Sequence, residues 1–442
     1  MPGATWAATS GSVRTAPFAA TPATSSSVRP GRLAATLAAA LLVGVLPGPR
    51  AAAAPSWGEA RTVADFAWTD GHAVAAAGGQ LHVVYVSDLT AKGFARDGGP
   101  YQGVFHVSSA DGGRSWSQPV RVSQPERHAF RPALASDGTD LYAAWLTQRS
   151  YEAYDPADPR VLFVRAGSAS GWGPTVRLSP RRGRVDRPAV AASEGVAYVV
   201  WTDAGAGRIR LARSVDGGET WRRAEVGRTK ALDPLGEGFA GLPAVAASGQ
   251  TVGVVWISSS RGEVRAKVST DGGASFGEAV VLARGGARAN GGAPAVAAAP
   301  DRLTFAWTTG RGVFARTWRG GAWGPRVQVS EFGPTLRAKG GYDLAAGTSP
   351  SGAVGLAWAE CRTAGCDTLS ADSRVALVWA ESADGGSWGA RRIVAGPDDP
   401  ERRINDGPSV AWSAPATRVV VFDARASGYT AYAVLVATGT GS

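Results

Sequence analysis

The chain has 442 residues, with 59 Gly, 27 Pro and 16 Trp and no long amphipathic helical stretch, which excludes a helical bundle and suits many short strands and turns. Its formal net charge is +10. Setting aside Arg14, Arg29, Arg32 and Arg50 leaves about +6, carried by scattered rather than clustered residues, which argues against nucleic-acid binding. Two cysteines cannot supply a structural zinc cage, so no metal and no cofactor is expected.

Residues 1–27 are rich in Ala, Ser, Thr and Pro, and translation is expected to begin near Val28. Residues 33–46 form an apolar core after Arg29 and Arg32, and Ala51 to Ala54 then supply small-residue cleavage sites, the pattern of an export signal. The core is too short to span a bilayer, so a secreted protein without a stable membrane span is expected. The division is therefore residues 1–54 as signal region and residues 55–442 as one folded domain.

From Trp57 onward a repeat runs through the chain. A short apolar run recurs at Pro132 to Ala135, Pro188 to Ala191, Pro243 to Ala246 and Pro294 to Ala297, with weaker copies at His72 to Ala75, Tyr342 to Ala345 and Pro408 to Ala411. Each is followed by a second run ending at Tyr85, Trp145, Trp201, Trp256, Trp307, Trp358 or Phe422, anchors 51 to 64 residues apart. That period accommodates four strands and their loops. Uncharged runs of this length read as strands buried on both faces.

A third strand leads into Ser109 to Trp116, Ser214 to Trp221, Ser269 to Phe276 and the one-residue-shorter Ser382 to Trp388, with worn copies at Gly167 to Trp172 and Thr317 to Trp323. In each full copy an Asp precedes two glycines. The carboxylate can accept from nearby backbone N–H groups, and the glycines reach positive φ cheaply. This motif resembles the Asp box of sialidases and related β-propellers. Asp111, Asp216, Asp271 and Asp384 are therefore read as turn residues, not catalytic acids.

Fourth strands are expected to begin at the aromatics Trp116, Trp172, Trp221, Phe276, Trp323 and Trp388, which makes six for seven first strands. The missing one is found at the other end: Trp57 to Val63 matches Trp172 to Val176, while the last repeat ends after three strands. The expected fold is all-β, a seven-bladed propeller of four-stranded blades, its ring closed by the N-terminal strand. Cys361 and Cys366 are expected to pair in a disulfide pinning one loop. His82 and His106 read as core or edge residues, and His72 and His128 lie near the starts of first strands.

The Asp boxes are 3-to-4 turns, whereas the long connections 87–100, 147–159, 227–241, 330–341, 360–372 and 395–406 gather on the opposite face. Recognition is expected there. Strand ends on that face place Arg131, Asp186, Arg187, Tyr342 and Asp343 at the starts of first strands. They place Asp88, Arg149, Asp203, Glu360, Asp423 and Arg425 at the ends of second strands. Arginines there can clamp a carboxylate.

The sialidase resemblance implies more. It casts Tyr342 and Glu360 as a nucleophile and its activating base, with Arg131 or Arg187 among the carboxylate clamps. The Arg-Ile-Pro signature of that family is absent, however; Phe130-Arg131-Pro132 follows the first box, and sialidases have six blades. The favoured expectation is a secreted, monomeric propeller binding a carbohydrate or extracellular protein. The alternative is an exo-glycosidase acting on an acidic sugar.

Overall fold

The computed structural model describes residues 56–87, 102–149, 159–168, 171–229, 241–258, 263–284, 292–309, 311–331, 337–338, 344–361, 375–396, 402–404, 407–426 and 432–440. Among them every regular element is a strand.

Blade 2 shows the unit. His128–Ser136 pairs with Leu141–Gln148, which pairs with Val161–Ser168, which pairs with Gly171–Arg177, all antiparallel. Leu141–Gln148 is buried along its whole length, while Gly171–Arg177 carries the solvent edge. Blades 3, 4 and 5 repeat this order over residues 185–228, 241–283 and 295–331, and blade 6 does so with its inner strand divided into Arg337–Ala338 and Ala345–Thr348. The inner strands touch in a closed cycle, with Ser409–Ala414 of blade 7 returning to blade 1, so they line the ring axis.

Seven apolar clusters fill the seven gaps between neighbouring blades. Strand alternation feeds them: Val199 and Trp201 face blade 2, whereas Tyr198 and Val200 face blade 4. Each expected fourth-strand aromatic sits in the gap to the preceding blade: Trp116, Trp172, Trp221, Phe276, Trp323 and Trp388 in blades 1 to 6. Trp57 takes the same place for blade 7.

The closure is explicit in the pairing. Arg61–Ala77 is one long strand used twice. Residues 61–67 pair with Tyr432–Thr440 as the outer strand of blade 7, and residues 72–77 pair with Gln80–Ser87 as the inner strand of blade 1. Ser56 and Trp57 extend the ladder opposite Thr440 and Gly439. The chain thus ends its ring in the strand that began it, leaving no open edge between blades 7 and 1.

The Asp boxes are self-contained turns. Asp111 accepts from the hydroxyls of Ser109 (2.8 Å) and Ser115 (2.6 Å) and from the Arg114 and Ser115 N–H groups, while Gly113 N–H donates to Ser109 Oγ at 2.8 Å. Asp216, Asp271 and Asp384 repeat the arrangement with Ser214 and Thr220, Ser269 and Ser275, and Ser382 and Ser387. In the three longer boxes both glycines have positive φ, as at Gly217 (70°) and Gly218 (91°). The boxes also join blades: Tyr198 of blade 3 donates to Gly272 O of the blade 4 box at 3.0 Å. These hydrogen bonds, led by that of Thr220, hold the Asp216 carboxyl at about 2, and the Ser387 and Gly386 amides do the same for Asp384. In the three longer boxes both carboxylate oxygens are occupied with their own turn.

One expectation shifts. Trp116, Phe276 and Trp388 do not begin strands; after one backbone bond each, from Ser117, Gly277 and Gly389, the ladder proper starts at Val120, Val280 and Arg392. The Asp box carries its aromatic into the inter-blade core out of ladder register. Where the connection is a tight hairpin, as at Gly320-Gly321, the outer strand pairs at once from Ala322.

Candidate functional site

At the end of the ring opposite the boxes, the inner strands of blades 1 to 4 share a defect. Their pairing slips between Ala67 and His72, Phe130 and Ala133, Asp186 and Ala189, and Gly241 and Ala244. The residue inserted there has positive φ: Gly71 (118°), Arg131 (49°), Arg187 (51°) and Leu242 (42°). A proline follows in blades 2, 3 and 4; it lacks the N–H that a broken ladder would leave unpaired. A non-glycine residue in this conformation costs about 1–3 kcal/mol, which the surrounding sheet must hold in place. Two of the three strained side chains are arginines, on adjacent blades.

Those arginines meet around one carboxylate. Arg131 of blade 2 pairs with Asp186 Oδ1 of blade 3. Arg160, at the start of the third strand of blade 2, lies 3.5 Å from Asp186 Oδ2, with its guanidinium 5.4 Å from the Phe130 ring centroid. Arg187 donates its backbone N–H to Asp186 Oδ1 at 2.9 Å. Below the cluster, Arg160 and Arg184 form an inter-blade bridge, and Arg184 O accepts from Ala204 N–H at 2.7 Å. The side chains of Arg131, Arg160 and Asp186 are only 24%, 15% and 14% exposed. Burial alone would favour the neutral Asp186 acid, but Arg131, then Arg187 and Arg160, overcome it and hold the carboxyl below its ordinary range. Among the described residues, Arg131, Arg160 and Arg187 thus surround the Asp186 carboxylate.

The other expected site residues that are described have partners of their own. Asp203 accepts from Ala206 N–H at 3.2 Å and from Arg210 Nε at 3.4 Å, closing its own turn. Glu360 is fully buried. Its Oε1 accepts from Trp358 Nε1 at 2.9 Å and its Oε2 pairs with Arg391, so both oxygens are engaged. Asp423 is buried on the second strand of blade 7, and Arg425 lies opposite Tyr432 in the same sheet. Asp88, Tyr342, Asp343 and Cys366 lie outside the described residues, and of Cys361 only the backbone is described, so the disulfide and the Tyr342–Glu360 pair lie there too. His72 is a structural residue: its Nε2 is 2.9 Å from Val421 O of blade 7, and burial pushes its imidazole down to about 4.

Sequence reasoning reached Arg131, Asp186 and Arg187 but missed Arg160. Third strands also start on this face, so Arg160-Val161 was a detectable signal. Among the described residues, no group of three or more His, Cys, Asp or Glu could hold a metal ion, and no helix is long and apolar enough to cross a membrane.

No family model and no curated protein matches the chain. Solved structures do. The Trypanosoma rangeli sialidase in complex with 2,3-difluorosialic acid superposes with a TM-score of 0.47 at 13% identity, over 83% of this chain and 53% of that one. The NanB sialidase from Streptococcus pneumoniae gives 0.45 at 12% identity, over 87% and 70%. A protein of unknown function from Dyadobacter fermentans gives 0.45 at 13% identity, over 86% and 99%. The chain thus spans about half the length of the first of these. These are likenesses of chain path; the fold itself stands on the strand pairing.

Proposed function

We propose that this is a secreted recognition propeller whose face opposite the Asp boxes binds an acidic ligand, an acid-bearing glycan in the first place, through Arg131, Arg160 and Arg187. The observation that supports the reading is that Arg131 and Arg160 pair with Asp186, and Arg187 bonds it through its amide, beside two strained bulges. Strain kept at a recognition face serves pre-organisation, since the guanidinium groups are positioned before the ligand arrives. Arginine suits this role because its planar fork matches a carboxylate bidentately and its charge does not titrate. Asp186 keeps the cluster assembled when no ligand is bound.

The glycosidase alternative needs a base beside a nucleophile. Glu360 is committed to Trp358 and Arg391, so no described geometry favours that reading. Secretion rests on the apolar stretch 33–46 and the alanines that follow it, and a monomer remains the working assumption. The test is a glycan array probed with the protein and with its Arg160→Ala variant. Retention of acidic glycans by the first and not the second supports the reading. Indifference to glycan charge, or undiminished retention by the variant, refutes it.

A further inference from the structure

A cleft of about 670 Å³ lies between blades 1 and 2. This volume is within the range of small-molecule sites. Its lining includes His82, His106, Arg121, Arg165, Trp172 and Val120, and no carboxylate among the described residues. Val120 is 52% exposed, one of three large apolar residues so exposed among those described.

The two histidines form a defined unit. His82 Nδ1 and His106 Nε2 are 3.1 Å apart, with ring centroids 5.3 Å apart and planes 10° from parallel. At that centroid distance the nitrogens come so close only if both lie on the line between the rings. The imidazoles therefore meet in line and in one plane, joined by an N–H···N hydrogen bond rather than stacked. His82 Nε2 lies 3.3 Å from Ala77 O, and a carbonyl only accepts, so His82 carries its proton on Nε2. Its bare Nδ1 accepts from His106 Nε2–H. His106 Nδ1 is then the one basic nitrogen left, and it has no protein partner among the described residues. A proton added there keeps both existing hydrogen bonds; a proton on His82 Nδ1 would break one.

The surroundings are cationic and apolar. Arg165 is held by backbone carbonyls of Gly173, Val122 and Trp172, whereas Arg121, opposite Phe105 in the ladder, turns its guanidinium over that ring on the other face of blade 1. Trp172 meets the His106 ring edge-on, with centroids 5.3 Å apart. The acidic groups of the flanking elements, Glu126, Asp137 and Asp140, lie outside the lining, and Asp137 is occupied with the Thr139 and Asp140 amides of its turn.

We propose that this cleft is a second binding site, for a small amphipathic anion: its acid group at His106 with Arg165 behind, its flat apolar body against Trp172 and Val120. Binding takes up a proton at His106 Nδ1. Burial, with His82 beside it, pushes the free His106 imidazole down to about 4, so an anion that restores its basicity binds more tightly as the pH falls.

Calorimetric titration of the protein with naphthalene-2-sulfonate tests this. Saturable binding to one site is expected, at least about fivefold tighter at pH 5.5 than at pH 7.5, because each linked proton contributes up to tenfold per pH unit. His106→Gln should abolish the pH dependence. Val120→Glu, at an exposed position, should weaken binding about tenfold or more, while Val215→Glu, 61% exposed in the blade 3 box, should leave it unchanged. Absence of saturable binding overturns the proposal. So does equal behaviour of the Val120 and Val215 variants, or a pH gain that survives His106→Gln in a protein that melts like the wild type.

Discussion

Trp57 and Gly439 hold the ring shut, and exchanging them tests that closure. Trp57 lies opposite Gly439 in the ladder, and its ring meets Trp379 edge-on with centroids 5.5 Å apart. Trp57→Ala removes a half-buried indole, worth about 1–2 kcal/mol of burial. It also removes an aromatic pair worth about 0.5–1.5 kcal/mol. The expected loss is thus about 1.5–3.5 kcal/mol, large for a residue near the start of a folded domain. A Cβ on Gly439 would stand 3.0 Å from two carbons of the Trp57 ring. Gly439→Ala should therefore cost about 1–3 kcal/mol by overpacking. In the Trp57→Ala background that clash is gone, and alanine should stabilise the strand by about 0.5–1 kcal/mol over glycine. The second substitution changes sign, a coupling of about 1.5–4 kcal/mol. Urea unfolding of the four proteins, followed by far-ultraviolet circular dichroism at constant m, measures it. Additive effects, or a Trp57→Ala cost below about 0.5 kcal/mol, would refute the closure as the source of stability.

Asp216→Asn should destabilise the fold at neutral pH and flatten its acid limb. A carboxyl held at about 2 in the folded state, and near 3.8 otherwise, contributes stability above about pH 4 that is lost as the pH falls towards 2. Melting temperatures of both proteins between pH 2 and 7 check this. His72 acts in the opposite range. Its lowered folded value means full stability above about pH 6.5, lost at up to about 1.4 kcal/mol per unit as the pH falls towards 4, and His72→Gln should remove that slope from urea midpoints. Glu360→Gln keeps an acceptor for Trp358 but leaves the Arg391 cation without its carboxylate. A cost of about 1–3 kcal/mol is expected, discounted because Arg391 is 34% exposed. An unchanged unfolding midpoint would show that the pair is idle.

The architecture was legible because its signals are local. An Asp box, an apolar run and an aromatic each sit within a few neighbouring residues, and repetition removes the ambiguity of any single copy. Even the closure could be read, since Trp57 to Val63 looks like Trp172 to Val176. The candidate site was legible only in part. Arg131 and Arg187 stand at strand starts, but their positive φ leaves no mark beyond the following proline, which also follows many ordinary extended residues. Arg160 meets Asp186 only across the gap between two blades, a contact that depends on how the blades pack. The His82–His106 unit depends on register: His106 lies opposite Val84, placing it diagonally beside His82, and a one-residue slip would turn the rings to opposite faces. Local pattern reveals strands; what crosses between strands and blades needs the folded geometry.

The most direct test of the recognition face uses one sugar in two charge states. N-acetylneuraminic acid and its methyl ester differ at the carboxylate that Arg131, Arg160 and Arg187 are proposed to grip. Equilibrium titration should find the acid bound and the ester at least about tenfold weaker, a difference of about 1.4 kcal/mol. That preference should vanish in Arg160→Ala. Equal affinity for acid and ester, or a preference that survives the substitution, would contradict the account.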